Sequence, residues 1–327
     1  MKTALITGIT GQDGHHLTSF LKSKNYEIVG LVNGQRNSKI ESFQSLHPEV
    51  KLLRGDLADF ASLLGIIDDS KPDEIYNLGA ISFVGLSFKQ PEITANITGL
   101  GTLRLLEAIK VLGSKNTRFY QASSSEMFGL VKETPQSEKT PFHPRSPYGV
   151  AKVFAHYTTQ NYREAYDLFA SSGILFNHEG EFRGHEFVTR KITSNLARIK
   201  LNKIKKFSLG PLTPKRDWGY SGDFVEAMWL ILQHSIADDF VISTGESHSV
   251  KEFLLEAMDV LNLGDEIEKY VDFDDTQIRP AEVDTLIGDY SKANKMLGWK
   301  PKTNFRKLIE IMVENDLRIE TNRNNNR

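Results

Sequence analysis

Cysteine is absent from all 327 residues. That excludes disulfides, thiolate zinc sites and a cysteine nucleophile, and it suits a reducing compartment. Long apolar runs are missing too. No stretch approaches the roughly 20 residues needed to span a bilayer, and Met1-Lys2-Thr3-Ala4-Leu5-Ile6 is too short an apolar start for a signal peptide. From these absences the chain is expected to be cytoplasmic. There is no excess of charge of either sign: 40 Lys and Arg face 42 Asp and Glu, a net charge of -2. Nothing therefore marks the protein as a binder of nucleic acid or of a membrane surface. The nine His show no HExxH or similar spacing, so no metal site is expected. No internal repeat or domain linker interrupts the chain.

What is present is a rhythm. Short apolar runs, Thr3–Thr7, Glu27–Val32, Lys51–Arg54, Glu74–Leu78, Arg118–Ala122 and Leu168–Leu175, read as six strands. Helical stretches lie between them at about Gln12–Lys24, Pro91–Leu112 and Pro147–Tyr166. Strands that alternate with helices pair in parallel, because each crossover returns the chain to the same edge. The expected fold is α/β: a doubly wound parallel Rossmann sheet with a smaller, discontinuous C-terminal substrate lobe. The Rossmann domain should occupy residues 1–176 and regain a segment near 212–246, where Asp239–Ser243 reads as a returning strand. The lobe should take most of 177–316, with helices near Glu186–Asn202 and Val250–Leu263. The stretch 317–327, ending in Thr321–Arg327 with nothing to bury, is expected to be disordered.

Gly8-Ile9-Thr10-Gly11-Gln12-Asp13-Gly14 places glycines at i, i+3 and i+6, directly after a strand and opening a helix. The first permits the turn, the second lets backbone N–H groups reach a pyrophosphate, and the third allows close helix–strand packing. A ligand-free glycine turn is the plainer alternative, but the strand–turn–helix context favours a dinucleotide. An NAD site would carry Asp or Glu at the end of the second strand to hold the ribose. Here Asn33-Gly34-Gln35-Arg36 stands instead, and Arg36 suits a 2′-phosphate, so NADP is the expected cofactor. Asp56 and Leu57 should cover the adenine, while Leu78, Gly79 and Ala80 should pass the pyrophosphate and nicotinamide ribose.

Tyr148-Gly149-Val150-Ala151-Lys152 sets a phenol and an ammonium on one helix face. The ammonium is expected to lower the phenol pKa and hold the nicotinamide ribose. A lone YxxxK is more often a surface pair. What raises it is Ser123-Ser124-Ser125-Glu126 at the end of the fifth strand. Glycine loop, strand-end Ser and YxxxK follow the order of the extended short-chain dehydrogenase/reductase superfamily. Tyr and Ser suffice to move a hydride at a carbinol carbon. Eliminating water also needs a base for a carbon-bound proton and an acid for the leaving hydroxyl, and Glu126 can serve both in turn. Its alternative is a solvated loop carboxylate.

With these residues in view, the chain resembles the GDP-mannose 4,6-dehydratase family. The matching strings are Gly8–Gly14, Asp73–Ala80, Gly101–Ile109, Arg118–Gly129, Pro144–Tyr148, Gly173–Glu179, Phe187–Thr193, Arg216–Gly219, Arg279–Asp284 and Leu297–Trp299. The resemblance implies that Tyr148, with Lys152, removes the sugar 4-hydroxyl proton while NADP takes the C4 hydride. Glu126 then removes the C5 proton, the 6-hydroxyl leaves as water, and the hydride returns to C6. Ser124, where the family usually has Thr, would hydrogen-bond the oxygen at C4. His178 and Arg183 match cofactor contacts, and Ser82 is placed beside both cofactor and substrate. Asn177 would hold a phosphate of the GDP-sugar, with Val188 and Lys191 beside the nucleotide. Arg216 and Arg279 would neutralise the pyrophosphate, and Glu282 would meet the nucleotide sugar. A homo-oligomer, dimer or tetramer, is also implied, with the loop around Arg36 reaching a neighbouring cofactor.

The chain departs from the family pattern in three places. Gly180-Glu181-Phe182-Arg183-Gly184 stands where Ser-Pro-Arg-Arg-Gly is usual, Arg36 is alone where two arginines often adjoin, and Ile93 replaces a Tyr. Three rival functions share the motifs: a dehydratase of a related GDP-sugar such as a GDP-heptose, a 4-epimerase or 4-keto reductase, and a non-catalytic NADP sensor. The epimerase and reductase have no use for Glu126, so that residue separates them.

Overall fold

The computed structural model describes residues 1–34, 37–274, 283 and 285–325. Arg36, Arg279 and Glu282, all expected at the site, lie outside the described residues. Seven strands build the main sheet: β1 (Thr3–Thr7), β2 (Glu27–Val32), β3 (Lys51–Arg54), β4 (Glu74–Asn77), β5 (Arg118–Ser124), β6 (Ala170–Leu175) and, far along the chain, β11 (Asp239–Ile242). Their order is β11-β6-β5-β4-β1-β2-β3, every pair parallel. The order reverses at β1 and β4, and the carboxyl ends on either side of that reversal open a crevice.

The strands are apolar on both faces because helices cover both. Ala4 and Ile6 point into one core layer with Leu17, Leu21, Phe224 and Trp299, whereas Leu5 between them joins Leu63, Ile75, Leu105 and Phe119 in the other. The first layer is roofed by α1 (Gln12–Ser23), α2 (Ser38–Leu46), α9 (Ser221–Gln233) and α11 (Ser291–Leu297). The second is roofed by α3 (Phe60–Ser70), α6 (Gly101–Val111) and α7 (Pro147–Tyr166). Between β4 and α6 lie two short helices, α4 (Val84–Lys89) and α5 (Pro91–Thr94), and a π-helical stretch, Ala95–Leu100. Where one continuous helix is expected over Pro91–Leu112, this wider turn intervenes. It presents the Thr98 hydroxyl to the Ile81 N–H at 3.1 Å, tying the loop after β4 to the helix.

A second core gathers α8 (Val188–Lys200), β8 (Phe207–Leu209), α10 (Val250–Val260), β13 (Val271–Phe273) and α12 (Phe305–Asn325), with Trp218 at its edge toward the crevice. Short pairs join it to the sheet: β7 (Asn177–Glu179) with β10 (Trp218–Tyr220), and β9 (Lys215–Arg216) with β12 (His248–Ser249). One expectation needs correction. The stretch 317–327, expected to be disordered, is helical through Asn325, since Asp316 and Glu320 anchor α12 to Arg190 at 2.8 Å and Lys203 at 3.0 Å. α11 and Trp299 pack in the main core, where the indole N–H donates to the Asp223 carbonyl at 2.9 Å. No helix among the described residues is long and apolar enough to cross a membrane.

Candidate active site

The crevice is a cavity of about 910 Å³, in the range that encloses a small-molecule ligand. Its floor is set by a buried polar network at the strand ends. The Thr7 hydroxyl donates to Asn77 Oδ1 at 2.7 Å and accepts the Gly79 N–H at 3.0 Å, while the Asn77 amide donates to Thr102 and Gln121. Gly8 adopts φ +67°, and a Cβ there would lie 2.8 Å from the Gly79 nitrogen. Only glycine lets the β1 and β4 loops approach this closely. Gly8, Gly11, Gln12, Asp13 and Gly14 line the cavity from one side, and Leu78, Ala80 and Ser82 from the other. The Ile9 side chain turns into the core instead, leaving its backbone for the loop. Asp56 and Leu57 stand at the end of β3, outside the lining residues: Leu57 is buried, and the Asp56 carboxylate accepts the Ala58 N–H at 2.8 Å.

The fit to a dinucleotide rests on more than the glycines. Gln12 Oε1 and Asn177 Oδ1 are buried without a hydrogen-bond partner, and both residues line the cavity. Buried acceptors of this kind call for a donor-bearing ligand. Asp13 is committed elsewhere, to His178 Nε2 and Ser221 Oγ, both at 2.8 Å. Burial works against its charge, but the His178 and Ser221 bonds win and hold the carboxyl well below its ordinary value. His178 responds in kind: burial opposes its proton, yet Asp13 and the Phe176 carbonyl keep the imidazole above its usual value. The pair latches the glycine loop onto β7.

The four residues expected to be catalytic converge. Ser146 caps α7 by accepting the Gly149 N–H at 3.0 Å, and Pro147 opens the helix. A Cβ at Gly149 would stand 2.7 Å from the Glu126 carbonyl, so glycine lets the helix start press against the turn Ser125–Met127. Tyr148 is thereby brought to Ser124, whose hydroxyl hydrogen-bonds the phenol and accepts the Glu126 N–H at 3.2 Å. Ser124, Glu126, Tyr148 and Lys152 all line the cavity, and Glu126 is 8% exposed.

Burial dominates the electrostatics of the Tyr148–Lys152 pair. Burial pushes the Tyr148 phenol well above its ordinary value; the Ser124 bond opposes this and Glu126 adds to it. The Lys152 ammonium donates to the Ala122 carbonyl at 2.6 Å and stands 5.7 Å from the ring centroid. Burial also pushes Lys152 itself down to about 8 from its usual 10.5, with Asp13 resisting. The sign follows. Between about 8 and 10.5 the unfolded chain holds a proton that the folded chain has released, so stability rises with pH across that window. The rise amounts to about 3 kcal/mol. Lys152→Met should remove it, and urea midpoints compared below and above the window will show whether the rise is lost.

On the lobe side, Asn177, His178, Arg183, Val188, Lys191 and Arg216 line the same cavity. Arg216 reaches the Lys215 and Val283 carbonyls at 2.8 and 2.7 Å, and its neighbour Asp217 knots Thr244, Gly245 and Gly288 together. Burial lowers the Lys191 pKa, with Asp274 opposing. The altered segment Gly180–Gly184 keeps its changed charge out of the cavity. Glu181 faces His16 at 3.6 Å, and Phe182 stacks on His15 at 4.3 Å. Arg183 still points inward, braced by Glu179 at 2.8 Å and lying 3.5 Å over the Phe187 ring. Sequence reading missed the lining contributed by α4 (Phe88, Lys89) and by Phe187 and Trp218. α4 is a six-residue helix too short to show a period, and no local pattern marks an aromatic that the lobe folds inward. Ile93 is exposed on α5, outside the cavity. No group of three or more His, Asp or Glu among the described residues is arranged to hold a metal ion.

A family model described as GDP-mannose 4,6 dehydratase matches residues 5–312. The chain is 50% identical to GDP-mannose 4,6 dehydratase 1 of Arabidopsis thaliana, over 97% of this chain and 90% of the relative. It is 47% identical to the Homo sapiens GDP-mannose 4,6 dehydratase (97% and 91% covered) and 46% identical to that of Vibrio cholerae serotype O1 (97% and 94%). Among solved structures, dTDP-glucose 4,6-dehydratase from Bacillus anthracis in complex with NAD superposes with a TM-score of 0.83 at 21% identity, covering 98% of each chain. RMD from Pseudomonas aeruginosa complexed with NADPH gives 0.81 at 23%, covering 98% of this chain and 100% of that one. These two share the fold.

Proposed function

The chain belongs to the GDP-mannose 4,6-dehydratase family, and on that footing we propose that it is a hydro-lyase that converts GDP-mannose to GDP-4-dehydro-6-deoxy-D-mannose with NADP. The observation that carries this reading is the buried carboxylate of Glu126 in the same cavity as the Ser124–Tyr148 pair and Lys152. An epimerase or a keto-reductase has no work for it.

NADP suits the glycine loop, the buried acceptors of Gln12 and Asn177, and a second strand that ends without a carboxylate. Gly8–Gly14, Leu78–Ala80, Ser82, His178 and Arg183 would hold it. Bound NADP supplies a two-electron acceptor that takes the C4 hydride and gives it back at C6. The chain supplies the proton transfers. Tyr148 takes the O4 proton, and Ser124 orients the same oxygen. Lys152 keeps a cation close by, balancing the Tyr148 phenolate that accepts this proton. The ketone at C4 acidifies C5, Glu126 takes the C5 proton and then delivers it to the departing 6-hydroxyl, and water leaves. The proton that Tyr148 holds is the one left to return to C5, so atoms balance as loss of a single water. Asn177, Val188, Lys191 and Arg216 would bind the GDP portion.

The purified protein incubated with GDP-mannose and trace NADP, followed by mass spectrometry, should lose one water per sugar with no net NADPH. Unchanged GDP-mannose would count against the substrate, and unchanged GDP-sugars of every kind against the activity.

We also infer a homo-oligomer. Val150, Phe154 and Tyr157 on α7 and Leu100 beside them are exposed apolar side chains on one face, as interfaces between subunits are. Phe154→Glu should lower the mass in solution by sedimentation analysis; an unchanged mass would assign contact to another face.

A further inference from the structure

We propose that His156 is a positioning residue that holds the catalytic helix in register with the strand that carries Ser124 and Glu126. The proposal rests on the dehydratase reading and adds to it a residue outside the YxxxK pair. Tyr148, Lys152, His156 and Gln160 recur every fourth residue along α7, so they share one face. The first two reach the cavity. The second two are bonded to the sheet: His156 Nδ1 lies 3.0 Å from Ser123 Oγ, and Gln160 Nε2 lies 3.1 Å from His156 Nε2 and 2.8 Å from Asp239 Oδ2.

These contacts fix the direction of the hydrogen bonds. The Gln160 amide gives one hydrogen to the Asp239 carboxylate and the other to His156 Nε2, which is therefore an acceptor. A neutral imidazole then carries its proton on Nδ1 and donates it to Ser123. Burial disfavours the imidazolium, with Asp239 opposing and Arg163 adding to the effect, in keeping with the neutral form. The chain of bonds ends on firm ground, because Arg163 clasps Asp239 at 2.8 Å and the Ala170 carbonyl at 2.8 Å. It thus spans β5, α7, β6 and β11.

Ser123 sits between two residues of the site. Ala122 before it offers the carbonyl that receives Lys152, and Ser124 after it bonds Tyr148. A bond from His156 to Ser123 sets both at once. His156 is 2% exposed and touches the Phe142 ring edge-on at 5.3 Å, so its place in the core is packed as well as bonded.

The test is His156→Phe, which keeps a ring against Phe142 and removes both nitrogens. We expect kcat for GDP-mannose dehydration to fall about tenfold to a hundredfold, the scale of a small misplacement of reacting groups. KM, NADPH binding and the thermal midpoint should change little. His156→Asn, with an amide N–H in the place of Nδ1, should recover most of the rate. Ser123→Ala added to His156→Phe should cost nothing more, since both act through one bond. In the wild type, a slowly exchanging Nδ1–H resonance of His156 should shift on Ser123→Ala. An unaltered kcat in His156→Phe, a rate loss matched by lost NADPH binding, or independent losses in the double variant would each overturn the positioning role. Those results leave wild-type turnover intact. A wild type that gives no product instead overturns the dehydratase reading beneath it.

Discussion

Glu126→Gln should lower GDP-mannose dehydration by about 10²–10⁴-fold, the range for removing a positioned acid–base group, while NADP still binds. Glutamine keeps the size of the side chain, and the two contacts that shape the turn do not use the carboxylate: the Glu126 N–H bonded to Ser124 and the close approach of its carbonyl to Gly149. What is lost is the ability to take a proton from C5. In the proposed mechanism oxidation at C4 needs only Tyr148, Ser124 and the cofactor, so the variant should still form the 4-keto sugar and stop there. Reduced nicotinamide should then accumulate to about one equivalent per site, with the sugar two mass units lighter than GDP-mannose and no dehydrated product. In deuterated water, C5 should also fail to exchange. An unaltered dehydration rate would return Glu126 to being a structural carboxylate and reopen the epimerase and reductase readings.

That result bears on how far the sequence alone could be read. The Rossmann half was legible because its signals are local and periodic. Strands buried on both faces are unbroken apolar runs such as Ala4-Leu5-Ile6, and Pro147–Tyr166 has a Ser cap, a proline at its first position and a period of 3.6 throughout. Ser124, Glu126, Tyr148 and Lys152 were legible as motifs, and they meet in space because β5 and α7 are neighbours in the fold. Three things were not legible. The charge balance of Tyr148 and Lys152 depends on burial and on which carbonyl the ammonium finds, neither of which spacing encodes. The helix over the last residues is held by partners more than a hundred positions away, Arg190 and Lys203, so its polar composition misled. The Ser123–His156–Gln160–Asp239 chain joins elements up to 116 positions apart, and a buried His on a helix gives no sign from sequence of what it faces.

The altered segment shows the converse, a local change whose effect only the fold reveals. By sequence, Gly180-Glu181-Phe182 removes a positive charge and adds a negative one next to the cofactor. In the structure the two side chains turn away, Glu181 to His16 and Tyr220 and Phe182 onto His15, while Arg183 keeps its place at the cavity. What the segment brings to the cavity is therefore the Arg183 charge, paired with Glu179, and not its net charge.

Tyr148→Phe is the second large effect, and it should fail earlier in the reaction than Glu126→Gln. Burial works against ionisation of the Tyr148 phenol and the Ser124 hydrogen bond works for it; the phenolate form is the base. Its proposed task is to accept the O4 proton at the moment the hydride departs, so a phenyl ring in its place removes the base for the first step. Dehydration should drop by about 10²–10⁴-fold, and neither the 4-keto sugar nor reduced nicotinamide should build up. KM for GDP-mannose should stay near the wild-type value, because an interaction used only in the transition state is read in kcat rather than in KM. The pair of variants orders the chemistry: reduced nicotinamide from Glu126→Gln but none from Tyr148→Phe places proton removal at O4 before proton removal at C5. If Tyr148→Phe instead accumulated the reduced cofactor, the base at O4 would have to be another group, and Lys152, with a pKa of about 8 and its ammonium on the Ala122 carbonyl, would be the one to test next.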